Sequence, residues 1–539
     1  MPTYRRFLSS NELSYFLPSR VSGVNDMYTC MQFRAPANLV SPLRVNIAWA
    51  IMRLRHPLIA SCVEMKPGCY DDAQFAYTPP ASVACAADEA STSVRVHTDV
   101  SGVELCIAFL NGPRTLSSSC LSRLAIACGA AVAPGVHEFH MLFMGAHLIN
   151  DTRTACQALV SILELLGGTA ADSSKARTDS ELARLLDDEW ERRWGHPRAA
   201  DEVLVPATEA RICGLSTSKF LQAAWRVDHQ KLQRRFIGGH TFPRVKSTGP
   251  MTRTIQARFS TTQTAAILAK CKSQRVTLQN TLFAVTNFAW MRLCAQHPEI
   301  NAPKALPMLL YTAISTRRYL PPVPELISSH MSLALDYHNV MLPTFLPSTD
   351  PRATFWLRCR AAQKQMFAYT RSPLLLRRSL VTSTMRGQRA KAWARIDDET
   401  DGTFLKSTAP SRPPSVAAAP SSVTAVPSLA LLGLSQTGDI DGLFHPERYP
   451  SIEATDVHTG ARRPAGGILV ASRTFRKRFE LFLCWDAAPY APGLVEEFWG
   501  YVVDTLLEYV LEDPASRAAV EHIDRLPMGG VPTKVRGKL

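Results

Sequence analysis

Hydrophobic and polar positions along the 539-residue chain switch repeatedly between a period of two and a period near 3.6, and the switches predict its elements. Residues 26–33 alternate as a strand does. Residues 37–54 then take helical spacing, with Leu43, Ile47, Ile51 and Leu54 on one stripe, until His56-Pro57 ends the helix. Residues 59–65, 94–96 and 105–110 read as short strands, and residues 138–146 are apolar enough for an interior strand. After Asp151 the residues Ala155, Leu159, Ile162, Leu163 and Leu166 share one helical face, with Gly167-Gly168 as its stop. A charged helix is expected from Asp179 or Ser180 to Trp194.

The second half opens in the same manner. Residues 254–259 alternate as a strand, Thr261 caps a helix to Cys271, and Thr277 caps a longer one to Gln296. Residues 306–314, 429–434, 467–471 and 479–485 read as strands, and 354–369 and 492–511 as amphipathic helices. The Pro/Ser/Ala-rich stretch 408–427 reads as a flexible loop, and the polar segment 195–250 as the connection between halves. The element order predicts an α/β (α+β) protein of two lobes, residues 1–245 and 246–539.

Composition narrows the class. With 46% hydrophobic and 20% charged residues the chain has the material for a large core. The net charge of +14 suits any anionic partner. The absence of long Lys/Arg blocks, zinc-finger spacing and aromatic-basic interleaving argues against nucleic acid. The 13 cysteines are irregularly placed, form no CxxC pair and predict reduced core residues and no metal. No apolar run approaches the roughly 20 residues that cross a bilayer, so a cytoplasmic monomer is expected. The terminal Gly537-Lys538-Leu539 is one residue away from a peroxisomal address, the alternative location.

Chemistry concentrates at His147-Leu-Ile-Asn-Asp151. A histidine on a tight turn after a buried strand can bond a carbonyl through one ring nitrogen and remove an alcohol proton with the other. An aspartate four residues on points away from it and instead suits an arginine that pins the loop. The spacing alone means little, because about 0.6 such matches arise by chance in a chain with 14 histidines. Its position between an apolar strand and an apolar helix singles it out. His137 and His140 read as structural. No nucleophile elbow, P-loop or dinucleotide-binding fingerprint is present.

This segment resembles the His-xxx-Asp signature of the superfamily of chloramphenicol acetyltransferases, peptide-synthetase condensation domains and fungal alcohol O-acetyltransferases, and the resemblance extends over nearly the whole chain. Val24 to Met27, Arg55-His56-Pro57-Leu58 and Thr277 to Thr281 also look like the fungal pattern. Ser315-Thr-Arg317-Arg318-Tyr-Leu-Pro-Pro322 looks like the family's Asn-x-Arg-x-x-x-Pro element, which implies that Arg317 holds Asp151, with Arg318 as a substitute. Leu434-Ser435-Gln-Thr-Gly438 is similar to the family's Ser-x-x-Gly, which implies Ser435 as an oxyanion donor. The chain departs from the family pattern at Ala146, where double-His members have a first histidine, and at Thr152 and Ser315.

The resemblance implies a tunnel between two lobes, entered by acyl-CoA from one face and by an alcohol from the other. It implies an O-acyltransferase in which His147 is the general base, no acyl-enzyme forms and no cofactor is tightly bound, acyl-CoA being a co-substrate. The expected acceptor is the hydroxyl of a secondary metabolite or glycolipid. Two alternatives stand beside it: a non-catalytic condensation-like binding protein, and N-acyl or condensation activity on a carrier-bound substrate.

Overall fold

The computed structural model describes residues 1–169, 176–213, 218–247, 249–300, 305–346, 349–403 and 427–524. Residues 408–426 of the expected loop and the terminal Gly-Lys-Leu lie outside the described residues. Fifteen strands form three sheets among the described residues. The smallest contains β1 (Tyr4–Phe7), β4 (Gln74–Tyr77) and β3 (Cys62–Glu64) in that order. A five-stranded sheet runs β12 (Glu453–Ala461), β2 (Met27–Pro36), β7 (Val136–Gly145), β6 (Ser122–Ala133) and β5 (Val94–His97). A seven-stranded sheet runs β10 (Leu335–Leu342), β9 (Met308–Ser315), β11 (Ala430–Asp439), β13 (Ile468–Phe475), β14 (Arg478–Asp486), β8 (Thr252–Arg258) and β15 (Glu521–Asp524).

Each large sheet has its own apolar core. The N-terminal core gathers the helices Pro42–Arg55 and Thr152–Gly167 against the five-stranded sheet, and the C-terminal core gathers the helices Leu278–Gln296, Pro351–Thr370 and Leu494–Leu506 against the seven-stranded one. The expected α/β architecture of two sheet-and-helix lobes is therefore present. The division in space does not follow a single point in the chain. Strand β12, from the second half, pairs antiparallel with β2 at the edge of the first half's sheet. Met331, Leu333, Ala390 and Ala394 also pack into the N-terminal core.

Several elements differ from the pattern. Residues 105–110 lie in a helix, Gly102–Asn111, because Ser101 and Glu104 form a capping box that outweighs a short apolar run. The stretch 59–65 begins in a helical turn, Pro57–Ala60, and the strand expected there is confined to the three-residue β3. The helix predicted from residue 37 begins at Pro42, after a 3-10 turn, and Leu43 of its predicted stripe is 58% exposed. The helix expected over 492–511 is α-helical for Leu494–Leu506 and π-helical from Leu507 to Leu511.

The longest helix, Leu375–Thr400, lies along the helix Ser10–Ser22. Its buried positions are Leu375, Ser379, Ser383, Gly387, Ala390, Ala394 and Asp398. That stripe of mostly small residues lets two backbones approach closely. Asp398 fixes its end by accepting hydrogen bonds from Tyr70 Oη at 2.7 Å and Arg20 Nη1 at 3.2 Å. At Gly387 a Cβ would stand 2.9 Å from the Ser10 carbonyl oxygen. Gly387→Ala is therefore expected to destabilise the protein by about 1–2 kcal/mol in urea unfolding, the overpacking cost exceeding the roughly 1 kcal/mol gain in helix propensity. A stabilised variant would contradict the close approach.

Candidate active site

The site begins at the end of β7. Its last residue, Gly145, leaves room for Asn150, whose Nδ2 would lie 2.4 Å from a Cβ at that position. Asn150 Nδ2 donates instead to the Ala146 carbonyl at 2.9 Å, closing the turn that carries His147. Asp151 then caps the helix Thr152–Gly167, accepting from the Thr154 amide at 3.0 Å.

His147 Nδ1 lies 2.8 Å from the Asn150 carbonyl oxygen. A carbonyl only accepts, so Nδ1 carries the proton and Nε2 keeps its lone pair. The imidazole is half-buried, and burial holds its pKa below the ordinary histidine value; Asp151 pulls in the opposite direction, and Arg386 pushes it further down. The ring is thus neutral and basic at neutral pH.

Arg317 and Asp151 meet, with Nη2 at 2.9 Å from Oδ2. Arg317 stands in a 3-10 turn just after β9, and its guanidinium also donates to Ser332 Oγ at 3.2 Å and to the Ser332 carbonyl. Burial favours a protonated Asp151, but the neighbouring guanidinium outweighs it and holds the carboxyl below its usual range. Arg318 instead turns over the ring of Tyr319, 4.6 Å from its centroid, and takes no part. Ser435 is half-buried on β11, opposite Ala471 of β13, and no hydrogen bond joins it to His147.

Four further groups surround the motif. Tyr15, from the helix Ser10–Ser22, packs its ring on His147 with centroids 4.4 Å apart. Its hydroxyl bonds that of Tyr337 on β10, and Arg386 lies over both tyrosine rings, at 5.4 and 4.1 Å. A groove of about 240 Å³ between the helices Ser10–Ser22 and Leu375–Thr400 includes Ser14, Pro18, Arg386 and Trp393 in its wall. On the Arg317 side, the half-buried His330 packs against the buried His56 with ring centroids 4.2 Å apart, and desolvation beside the guanidinium drives its pKa down to about 4. No sequence signal marks Tyr15, Tyr337 or Arg386. The closeness of His330 and Ser332 to the Pro-rich element was the one available hint.

No protein-family model and no curated protein matches this sequence. Solved structures do match. The TRI3 trichothecene 15-O-acetyltransferase from Fusarium sporotrichioides superposes with a TM-score of 0.68 at 14% identity, over 94% of this chain and 96% of its own. The condensation domain of the monacolin K polyketide synthase MokA gives 0.56 at 11% identity, over 95% and 98%. Polyketide synthase associated protein 5 from Mycobacterium tuberculosis gives 0.52 at 13% identity, over 93% and 97%. The fold is therefore the one shared by the acetyltransferase and condensation-domain superfamily, which the motif suggested. Identities this low establish the fold alone.

Two outcomes follow from the ion pair and its neighbour. Asp151→Asn should cost about 2 kcal/mol in denaturant unfolding, less than a fully buried pair because Arg317 stays partly exposed; an unchanged midpoint would contradict the pair's role. His330 is neutral in the folded protein and takes up its proton near pH 6.5 when unfolded, so stability is complete above that pH and falls as pH drops toward 4. His330→Asn should lose less stability between pH 7 and 5 than the unmodified protein does, as read from thermal midpoints.

Proposed function

We propose that this protein is an acyl-CoA-dependent O-acyltransferase that acylates a hydroxyl of a secondary metabolite or glycolipid. The observation that carries this reading is the His147 imidazole, whose Nδ1 is committed to the Asn150 carbonyl while Nε2 is left as a neutral base. The similarity in fold to an O-acetyltransferase supports it. So does the net charge of +14, which favours the phosphates of CoA.

In this reaction Nε2 removes the proton of the acceptor hydroxyl as its oxygen attacks the thioester carbonyl. The tetrahedral intermediate collapses by breaking the carbon-sulfur bond, and the imidazolium returns its proton to the departing thiolate. Ester and free CoA thiol are formed, with no acyl-enzyme and no cofactor held between turnovers. Asp151 and Arg317 position the turn and do not touch the substrates. Tyr15 restricts rotation of the imidazole by packing its tilted ring against it. Ser435 is assigned the oxyanion, a role in which its hydroxyl donates to the former carbonyl oxygen.

Purified protein given acetyl-CoA or longer acyl-CoAs with a panel of alcohols should release free thiol only when acceptor is present. His147→Ala should lower kcat about 10²- to 10⁴-fold without unfolding the protein. Release from the variant at the unmodified rate would remove the base assignment. Transfer from a carrier-protein thioester, with none from acyl-CoA, would favour the condensation reading. The acid limb of kcat/KM should lie below pH 6.5, because His147 is depressed. Arg386→Gln removes a charge that depresses it, so its limb should move to higher pH.

A further inference from the structure

Cys30, Cys106 and His458 come from three separate parts of the chain and meet at the β2–β12 pair of the five-stranded sheet. Cys30 of β2 is directly opposite His458 of β12 across the antiparallel ladder, so both side chains leave the sheet on the same face. The helix Gly102–Asn111 packs against these two strands and supplies Cys106. One donor atom from each of the three residues lies within 4.8 Å of the other two. Their exposures are 0%, 4% and 4%, so the group is enclosed. Tyr28 presents its ring edge-on to His458 at 5.6 Å and to Phe109 at 5.9 Å, which walls the cluster and orients the imidazole.

We propose that Cys30, Cys106 and His458 form a structural site for a soft divalent cation of the zinc type. Two thiolates and an imidazole are the donors such an ion selects. Metal-ligand bonds of about 2.3 Å to sulfur and 2.0–2.1 Å to nitrogen set tetrahedral donors roughly 3.3–3.8 Å apart, which small side-chain rotations supply here. Binding displaces the two thiol protons, and two thiolates cancel the charge of the ion, so the filled site is neutral in the interior. A water molecule completes the fourth position, which leaves the filled site neutral. The site would fasten β12, which belongs to the second half of the chain, to β2 and the helix above it. This is independent of the acyl-transfer reading.

The test uses the full chain, unfolded and refolded under reducing conditions with Zn²⁺ or Co²⁺ and then dialysed. The expected result is about one equivalent of retained metal, release of about two protons per ion, and a thiolate-to-cobalt charge-transfer absorption. Cys106→Ala and His458→Gln should each weaken retention at least tenfold and change the cobalt spectrum, while Cys294→Ser, in another helix, should leave both unchanged. Circular dichroism establishes that each variant is folded. Less than about a tenth of an equivalent in the unmodified protein would overturn the proposal. So would folded Cys106→Ala and His458→Gln variants that retain metal as it does.

Discussion

The contact on which the site depends is the one between Asp151 and Arg317, because it is where the two sheets agree on the position of one turn. Asp151 divides its oxygens: Oδ1 caps its own helix at Thr154, and Oδ2 takes the guanidinium that arrives from the end of β9. Arg317 is in turn held by Ser332, near the far end of the same connection. Such a pair adds little net stability, since desolvating both groups offsets their attraction. What it supplies is geometry. The β9–β10 connection is anchored at one end by the Thr316 amide on the Ala334 carbonyl, and at the other by Met331 and Leu333 in the N-terminal core.

Around this fixed turn the electrostatics work in opposing directions. Asp151 favours a charged His147, whereas burial and Arg386 disfavour it, and the balance leaves the imidazole neutral. Arg386 is itself held by the faces of Tyr15 and Tyr337 and by a hydrogen bond from its Nη2 to Ser14 Oγ at 3.3 Å, and its charge also reaches the Asp336 carboxyl. The aromatic faces hold the cation and leave most of that field in place.

The parts of the site legible in the sequence are those encoded locally. His147 and Asp151 were readable because an apolar strand, a turn and a helical stripe follow one another within some thirty residues, and Arg317 because it stands in a recognisable element. The helix Leu375–Thr400 was missed because its buried stripe is built of Ser, Gly and Ala, which carry no hydrophobic period. The segment 105–110 was misread because an apolar run that short fits either element, and its Ser101/Glu104 cap was the deciding signal. Nothing local marks β12 as a strand of the first half's sheet. The Cys30, Cys106 and His458 group was invisible for the same reason, since its members meet only through that pairing.

These misses share a cause with consequences for the site. Arg386 is the residue next to Gly387, so the depth at which the helix Leu375–Thr400 docks against Ser10 also sets how far the guanidinium reaches over Tyr15, five positions along the partner helix. A change in small-residue packing would thus be felt at His147 through the tyrosine packed on it, without any change in the motif itself. Long-range packing therefore adds to what burial and the five-residue motif already impose on the imidazole. Residues such as Gly387, which contact neither the imidazole nor its partners, belong to the conditions that keep it neutral.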